Sequence, residues 1–342
     1  MLQVRQYLLG TIAILASLAM GAAQGQDTAP RDLSASYKLA PDWGHLPDGR
    51  KWGSTSAVHV APDGVHVWAL DRCGGMNCTK SMDDPIFEFD GAGKAVKHFG
   101  GGMLLNPHGL FVDNGGNVWV SDSSADEAAH KGVQVFKFSP DGKVLMTLGK
   151  AGVKVEGTDT FVAPSDIIVA PNGDIFISDG HVGCNCTTAR ILKFSADGKF
   201  IKQWGKLGTG PGELNDPHAF VFNSKGQLIV SDRANNRIQV FDQDGKFIAA
   251  WTQFGRPSGL AIDKNDVLYA IDPESTDEDG YGHNPGFKRG VWIGSAVTGK
   301  ITGFIPDSAL ETGEGIAVDK AGNFYYAKVR SKVPGVYKIA KQ

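Results

Sequence analysis

An excess of charge of either sign is missing from this chain. Its 342 residues carry 34 Lys and Arg against 37 Asp and Glu, a formal net charge of −3 at pH 7. That balance offers no basic face for nucleic acid and no strong pull toward an anionic membrane. Amphipathic helical segments are lacking too, which leaves an α/β architecture unsupported. No Gly-x-Ser-x-Gly nucleophile motif occurs. Gly208-Thr209-Gly210-Pro211-Gly212 is not a phosphate loop, because no helix follows it to present backbone N–H groups. Long apolar runs are scarce, and the run from Tyr7 to Met20 is too short to cross a hydrocarbon core of ~30 Å comfortably.

That run instead reads as part of a secretory signal peptide. Arg5 precedes it and Gly21-Ala22-Ala23 follows as a small-residue cleavage site. No cysteine follows to accept a lipid anchor. Residues 1–23 are therefore expected to be removed, 24–34 to form a flexible mature N-terminus, and 35–342 to fold. The expected location is secreted or periplasmic, with no membrane insertion after cleavage.

Cysteine is sparse: four residues, in two tight pairs, Cys73/Cys78 and Cys184/Cys186. An oxidising compartment favours disulfides, and four cysteines allow 3 connectivities. Cys73–Cys78 is the more natural bridge, since it closes a short Gly-rich loop. Cys184-Asn185-Cys186 is too closely spaced for an unstrained local bridge. A metal site built from the four is the weaker alternative.

What the chain has in abundance is repetition. Six segments share one grammar: an apolar strand ending in Asp, a Gly turn, an aromatic-rich strand, then a third strand and a Gly-Lys turn. They begin near residue 57 and at Pro107, Pro164, Pro217, Pro257 and Gly313, and the fifth carries an insertion around Pro273–Arg289. Short β-branched or aromatic strands bounded by Gly, Asn and Asp are hairpin signatures. One four-stranded unit cannot bury both faces alone, so repetition means stacking into an all-β, six-bladed propeller. The sixth repeat holds three strands, and Ser36–Leu39 can supply the missing outer one. Closing the ring with both termini in one blade removes an exposed sheet edge.

Equivalent strand starts project equivalent side chains to the propeller axis. Those residues are Ser56, His108, Ser165, His218, Ser258 and Glu314, so the three with ligand chemistry fall on blades two, four and six. Two imidazoles and a carboxylate make an open catalytic zinc site or a site for another divalent transition metal. The acidic run Asp277-Glu278-Asp279 is a weaker candidate for structural calcium, without regular ligand spacing. His283, in the same insertion, is a candidate substrate-binding residue that covers the channel mouth.

Segments such as Arg256–Asp263 and Asp232–Phe241 resemble NHL repeats. On top of that, Pro107-His108-Gly109-Leu110 and Pro217-His218-Ala219-Phe220 resemble motifs of the peptidyl-α-hydroxyglycine α-amidating lyase family. The resemblance implies a propeller that cleaves the C–N bond of a carbinolamide at a zinc held by three histidines on alternate blades. Glu314 stands where that pattern has its third His, and Gly315 where it has Asp. Arg72 falls at the position of a catalytic Arg. Ser178-Asp179-Gly180-His181 resembles a motif ending in Tyr, so the resemblance assigns His181 to proton transfer. Arg190-Ile191 matches the Arg-Ile that closes the same loop, which makes Arg190 a substrate-binding candidate. Arg233 reads as repeat grammar. A lyase acting on a small or peptide-like hydroxylated substrate is the leading expectation. The alternatives are a metal-dependent lactone or ester hydrolase, and a non-catalytic propeller binding protein or glycan partners in the cell envelope.

Overall fold

The computed structural model describes residues 30–40, 43–181, 187–307 and 313–342. The signal segment and the Cys184/Cys186 pair lie outside them, and so does the segment 24–34 up to residue 29. From Pro30 onward the chain runs along blade five, where Asp32 bridges Phe304 and the Leu33 N–H donates to the Phe304 carbonyl.

Six four-stranded antiparallel sheets form the blades. Their innermost strands are Val58–Val60, Pro107–Val112, Pro164–Val169, Pro217–Phe222, Gly259–Ile262 and Gly313–Val318. Tyr37–Ala40 pairs with Gly335–Lys341 and completes the sixth blade as expected, with Leu39 opposite Ile339. No helix among the described residues is long and apolar enough to cross a membrane.

The core lies between blades. Trp119 and Val135 of blade two pack with Ile167, Ile175, Ile177 and Leu192 of blade three, all nearly inaccessible. Each such side chain contributes roughly 1.5–3 kcal/mol on burial. The repeated Asp after the second strand has a structural task. Asp71, Asp122, Asp179, Asp232 and Asp272 are fully buried and accept backbone N–H groups of the loop that enters their own blade. In blade six that register position is held by Lys328 instead. The Cys73–Cys78 disulfide is present, in the loop between the second and third strands of blade one.

Adjacent inner strands approach closely at the axis. A Cβ on Gly109 would lie 2.5 Å from the Ser165 carbonyl oxygen, and one on Gly315 would lie 2.6 Å from that of Ser56. Glycine is thus a packing requirement at these two positions, which explains why Gly315 follows Glu314, whereas Ala57, Asp166 and Ala219 follow the axial residue in blades one, three and four.

Candidate metal centre and cavity

The inner strands of blades two, three, four and six each carry a register shift at their start, between Pro107 and Leu110, Pro164 and Ile167, Pro217 and Phe220, and Gly313 and Gly315. Such bulges re-aim a side chain. Here they accompany His108, His218 and Glu314 at the axis, all three buried. Neighbouring blades fix the imidazoles. His108 Nδ1 lies 2.8 Å from the Ser165 carbonyl, and His218 Nδ1 lies 2.9 Å from that of Ser258. A carbonyl only accepts, so each Nδ1 carries the proton and Nε2 is left for the axis, the usual outer support of a metal-binding histidine. The Ser56 hydroxyl donates to the His108 carbonyl and that of Ser165 to the Pro217 carbonyl, so serine blades brace histidine blades.

His181 joins this group from the loop after the second strand of blade three. Its ring centroid is 4.5 Å from that of His108 and 5.3 Å from that of His218. One donor atom from each of His108, His181, His218 and Glu314 lies within 4.8 Å of the others. Among the described residues this is the one place where three or more such side chains converge; Asp277–Asp279 make no comparable group.

The electrostatics fit a cation. Burial pushes the His108 imidazole well below its usual range, with His181 adding repulsion, and it pushes His181 down to about 3. Both rings are neutral, with a lone pair to offer. Burial alone would raise the Glu314 carboxyl, but its contact with His218 and the guanidinium of Arg233 outweigh that and hold it well below the usual carboxylate range. His108 Nε2 is buried without a hydrogen-bond partner. His218 Nε2 faces Glu314 Oε1 at 3.1 Å, two lone-pair atoms once Nδ1 holds the ring proton. A proton or a metal ion must lie between them, and a buried nitrogen without a partner is unfavourable by about 1–3 kcal/mol. The donor set of imidazoles and a carboxylate therefore suits a divalent transition metal.

Above the donors opens a cavity of about 730 Å³, lined among others by Arg72, Arg233, Glu274, Tyr281 and Arg330. A second cavity of about 380 Å³ lies between the inner strands and also reaches His108, His218 and Glu314. His108 and Glu314 thus border both, while His181 lines the first alone and His218 the second alone. Arg72 is buried, and its Nε donates to the Pro107 carbonyl, placing a guanidinium against blade two. Arg233 pairs with Asp216 at 2.5 Å and with Glu314 at 3.2 Å. Glu274 accepts the Tyr281 hydroxyl at 2.8 Å and pairs with Arg256 at 2.9 Å.

The structure therefore brings Arg72, His108, His181, His218 and Glu314 together. Arg190 is elsewhere: it is buried in a pair with Asp179, bonds Gln203 and the Gly157 and Thr160 carbonyls, and lines neither cavity. His283 is on the surface, its Nδ1 3.1 Å from the Glu278 carbonyl and 3.7 Å from Asp279, and also lines neither. Arg233, Glu274, Tyr281 and Arg330 were not expected in the site. The signal for Arg233 was available, since the Arg follows the blade-four Asp as Arg72 follows that of blade one. Tyr281 arrives on the insertion, which repeat grammar does not place.

Comparison with known proteins agrees with this picture. The NHL repeat profile matches residues 214–241. A Drosophila melanogaster peptidyl-alpha-hydroxyglycine alpha-amidating lyase is 40% identical over 160 residues, 43% of this chain and 27% of that protein. A Caenorhabditis elegans protein named as a probable lyase of the same kind is 32% identical over 205 residues, 55% of each chain. The mouse peptidyl-glycine alpha-amidating monooxygenase is 38% identical over 166 residues, 46% of this chain and 16% of that protein. The matched stretches thus span about half or less of these relatives. Among solved structures, a streptogramin B lyase superposes with a TM-score of 0.56 at 16% identity, covering 91% of this chain and 100% of that one. A Xanthomonas campestris gluconolactonase does so with a TM-score of 0.59 at 14% identity, covering 85% and 87%. These last two show the shared fold alone. The chain is a six-bladed propeller with an NHL repeat at residues 214–241, and is similar in sequence to amidating lyases.

Proposed function

We propose that this protein is an exported, metal-dependent lyase that cleaves the C–N bond of a carbinolamide bearing a carboxylate, such as a peptide ending in α-hydroxyglycine. The observation that carries the reading is the convergence of His108, His181, His218 and Glu314 at the axis beneath a cavity that holds Arg72. Sequence homology to amidating lyases supports the reaction class. The disulfide and the signal-like N-terminal sequence support export.

Within the donor group, His108, His218 and Glu314 would form the alternate-blade core of the metal site. A divalent metal, when bound, would supply Lewis-acid polarisation of the substrate hydroxyl. The chain's own residues define the rest. Arg72, a fixed guanidinium, binds the substrate carboxylate and orients the carbinol carbon toward the donors. Arg233, clamped by Asp216, keeps a positive charge beside Glu314 where negative charge develops on oxygen. The hydroxyl loses its proton as the C–N bond breaks, and the departing amide nitrogen gains one. The Tyr281 hydroxyl, held by Glu274, keeps a proton at the cavity wall. The products are a peptide amide and glyoxylate.

The test is glyoxylate release from an α-hydroxyglycine-extended peptide by the purified protein. Release that is lost in His108→Ala and Arg72→Ala supports the reading. A metal-loaded, folded protein that is inert on such peptides contradicts it.

A further inference from the structure

Resemblance gives the position of His181 to proton transfer, but its surroundings describe a different task. We propose that His181 is a fourth protein ligand, and that the metal it helps to hold has more than four coordination positions. The inference rests on the metal reading above and extends it to coordination number and metal class.

Placement comes first. A proton-transfer group needs a nitrogen free to face the substrate. The His181 ring instead packs edge-on against His108 at 4.5 Å, in the donor layer itself. Its donor atom belongs to the same 4.8 Å group as those of His108, His218 and Glu314. His181 Nε2 lies 3.4 Å from Arg233 Nη2, and a guanidinium only donates, so Nε2 holds a lone pair rather than a proton. That contact is long, and Arg233 keeps Asp216 and Glu274 as partners when Nε2 turns to a cation.

Charge agrees. Asp216, Glu274 and Glu314 face the paired guanidiniums of Arg233 and Arg256, three carboxylates against two cations, so the donor group sits beside negative charge that favours a cation. The carboxylate from blade six makes the set more anionic than three imidazoles would be.

Coordination number follows from the ligand count. Four protein donors close a tetrahedral zinc site, whereas catalytic zinc keeps three and leaves one position open. Here His108, His181 and Glu314 border a cavity of about 730 Å³, and His218 completes the donor group from the second cavity. An ion that also meets a substrate in that cavity must accept five or six donors. Iron(II), manganese(II) and cobalt(II) do so readily, and mixed imidazole–carboxylate sets with open positions suit them.

The experiment loads the metal-free full chain with cobalt(II) and records affinity and visible absorption for wild type, His181→Ala and His108→Ala. Wild type should show the weak bands of a five- or six-coordinate ion. His181→Ala should bind at least about tenfold more weakly, with a changed spectrum. Unchanged affinity and spectrum in His181→Ala, with binding abolished in His108→Ala, would overturn this inference and leave the metal centre intact. Unchanged binding in both would overturn the centre itself. X-ray absorption on wild-type protein, which needs no variant, should count three imidazoles and a total above four. Two imidazoles, or a total of four, would refute the proposal.

Discussion

Arg190 offers a sharp test of how the repeat grammar stabilises the fold. Its Nε and Nη2 donate to Asp179 Oδ2 at 3.0 and 2.9 Å, and its remaining N–H groups reach Gln203 and the carbonyls of Gly157 and Thr160. Arg190→Ala would leave Asp179 Oδ2 buried with no cation, while Oδ1 keeps the Val162 and Ala163 N–H groups. Breaking a buried pair by removing one partner is destabilising by about 3–5 kcal/mol. The deficit should also depend on pH. Burial already raises the Asp179 carboxyl in spite of Arg190, and without the guanidinium it rises further. A folded-state pKa above the unfolded value makes stability fall as pH climbs from near 4 toward the folded value, so the deficit is smallest in acid. Urea unfolding at several pH values measures it. Arg190→Lys should fall between, because an ammonium cannot span the same four acceptors. Loss below about 1 kcal/mol at pH 7 would refute the structural assignment. So would a fully stable variant that no longer binds substrate, which would restore Arg190 to the substrate-binding role its motif suggests.

Further outcomes follow from other buried groups. Burial raises Asp122 to about 6, so its favourable contribution is complete below about pH 4 and is lost as pH rises to 6; Asp122→Asn should flatten up to roughly 3 kcal/mol of that dependence in pH-resolved unfolding. Gly315→Asp, the residue the lyase pattern has there, should destabilise by about 1–3 kcal/mol, since its Cβ would meet the Ser56 carbonyl at 2.6 Å. A melting temperature equal to wild type would show that blades six and one can separate without loss. Replacing Cys73 and Cys78 by Ser should lower stability by about 2 kcal/mol, the chain-entropy value for so short a loop. Chemical denaturation with intact and reduced protein checks it.

Repetition made the architecture legible before any coordinates. Each blade states its strands and turns locally, and five of the six their buried Asp, so the order of sheets and the closing strand Tyr37–Ala40 follow from sequence. The axial positions were legible for the same reason: equivalent points of a repeat converge, which picks out His108, His218 and Glu314. His181 lies in a loop, and no repeat rule says that its ring turns inward. Arg190 and Arg233 show the limit of motif reasoning. Arg233 follows Asp232 in sequence and Arg190 lies opposite Asp179 in register; the Arg190 guanidinium is enclosed by loop carbonyls while that of Arg233 reaches the cavity. Which occurs depends on the length and path of the loop beside it, a tertiary property. Tyr281 and Glu274 enter from the blade-five insertion, where the period that organises the rest of the chain is interrupted.

The most direct test of the central claim is metal stoichiometry. The full chain, purified from an oxidising compartment without chelator or affinity-tag nickel, is submitted to elemental analysis alongside His108→Ala and His218→Ala. The account predicts about one equivalent of a divalent transition metal in wild type, and little in either variant while both keep the β-rich circular dichroism of the propeller. A folded wild-type protein that holds no metal and takes up none when supplied, or variants that keep the full equivalent, would contradict it.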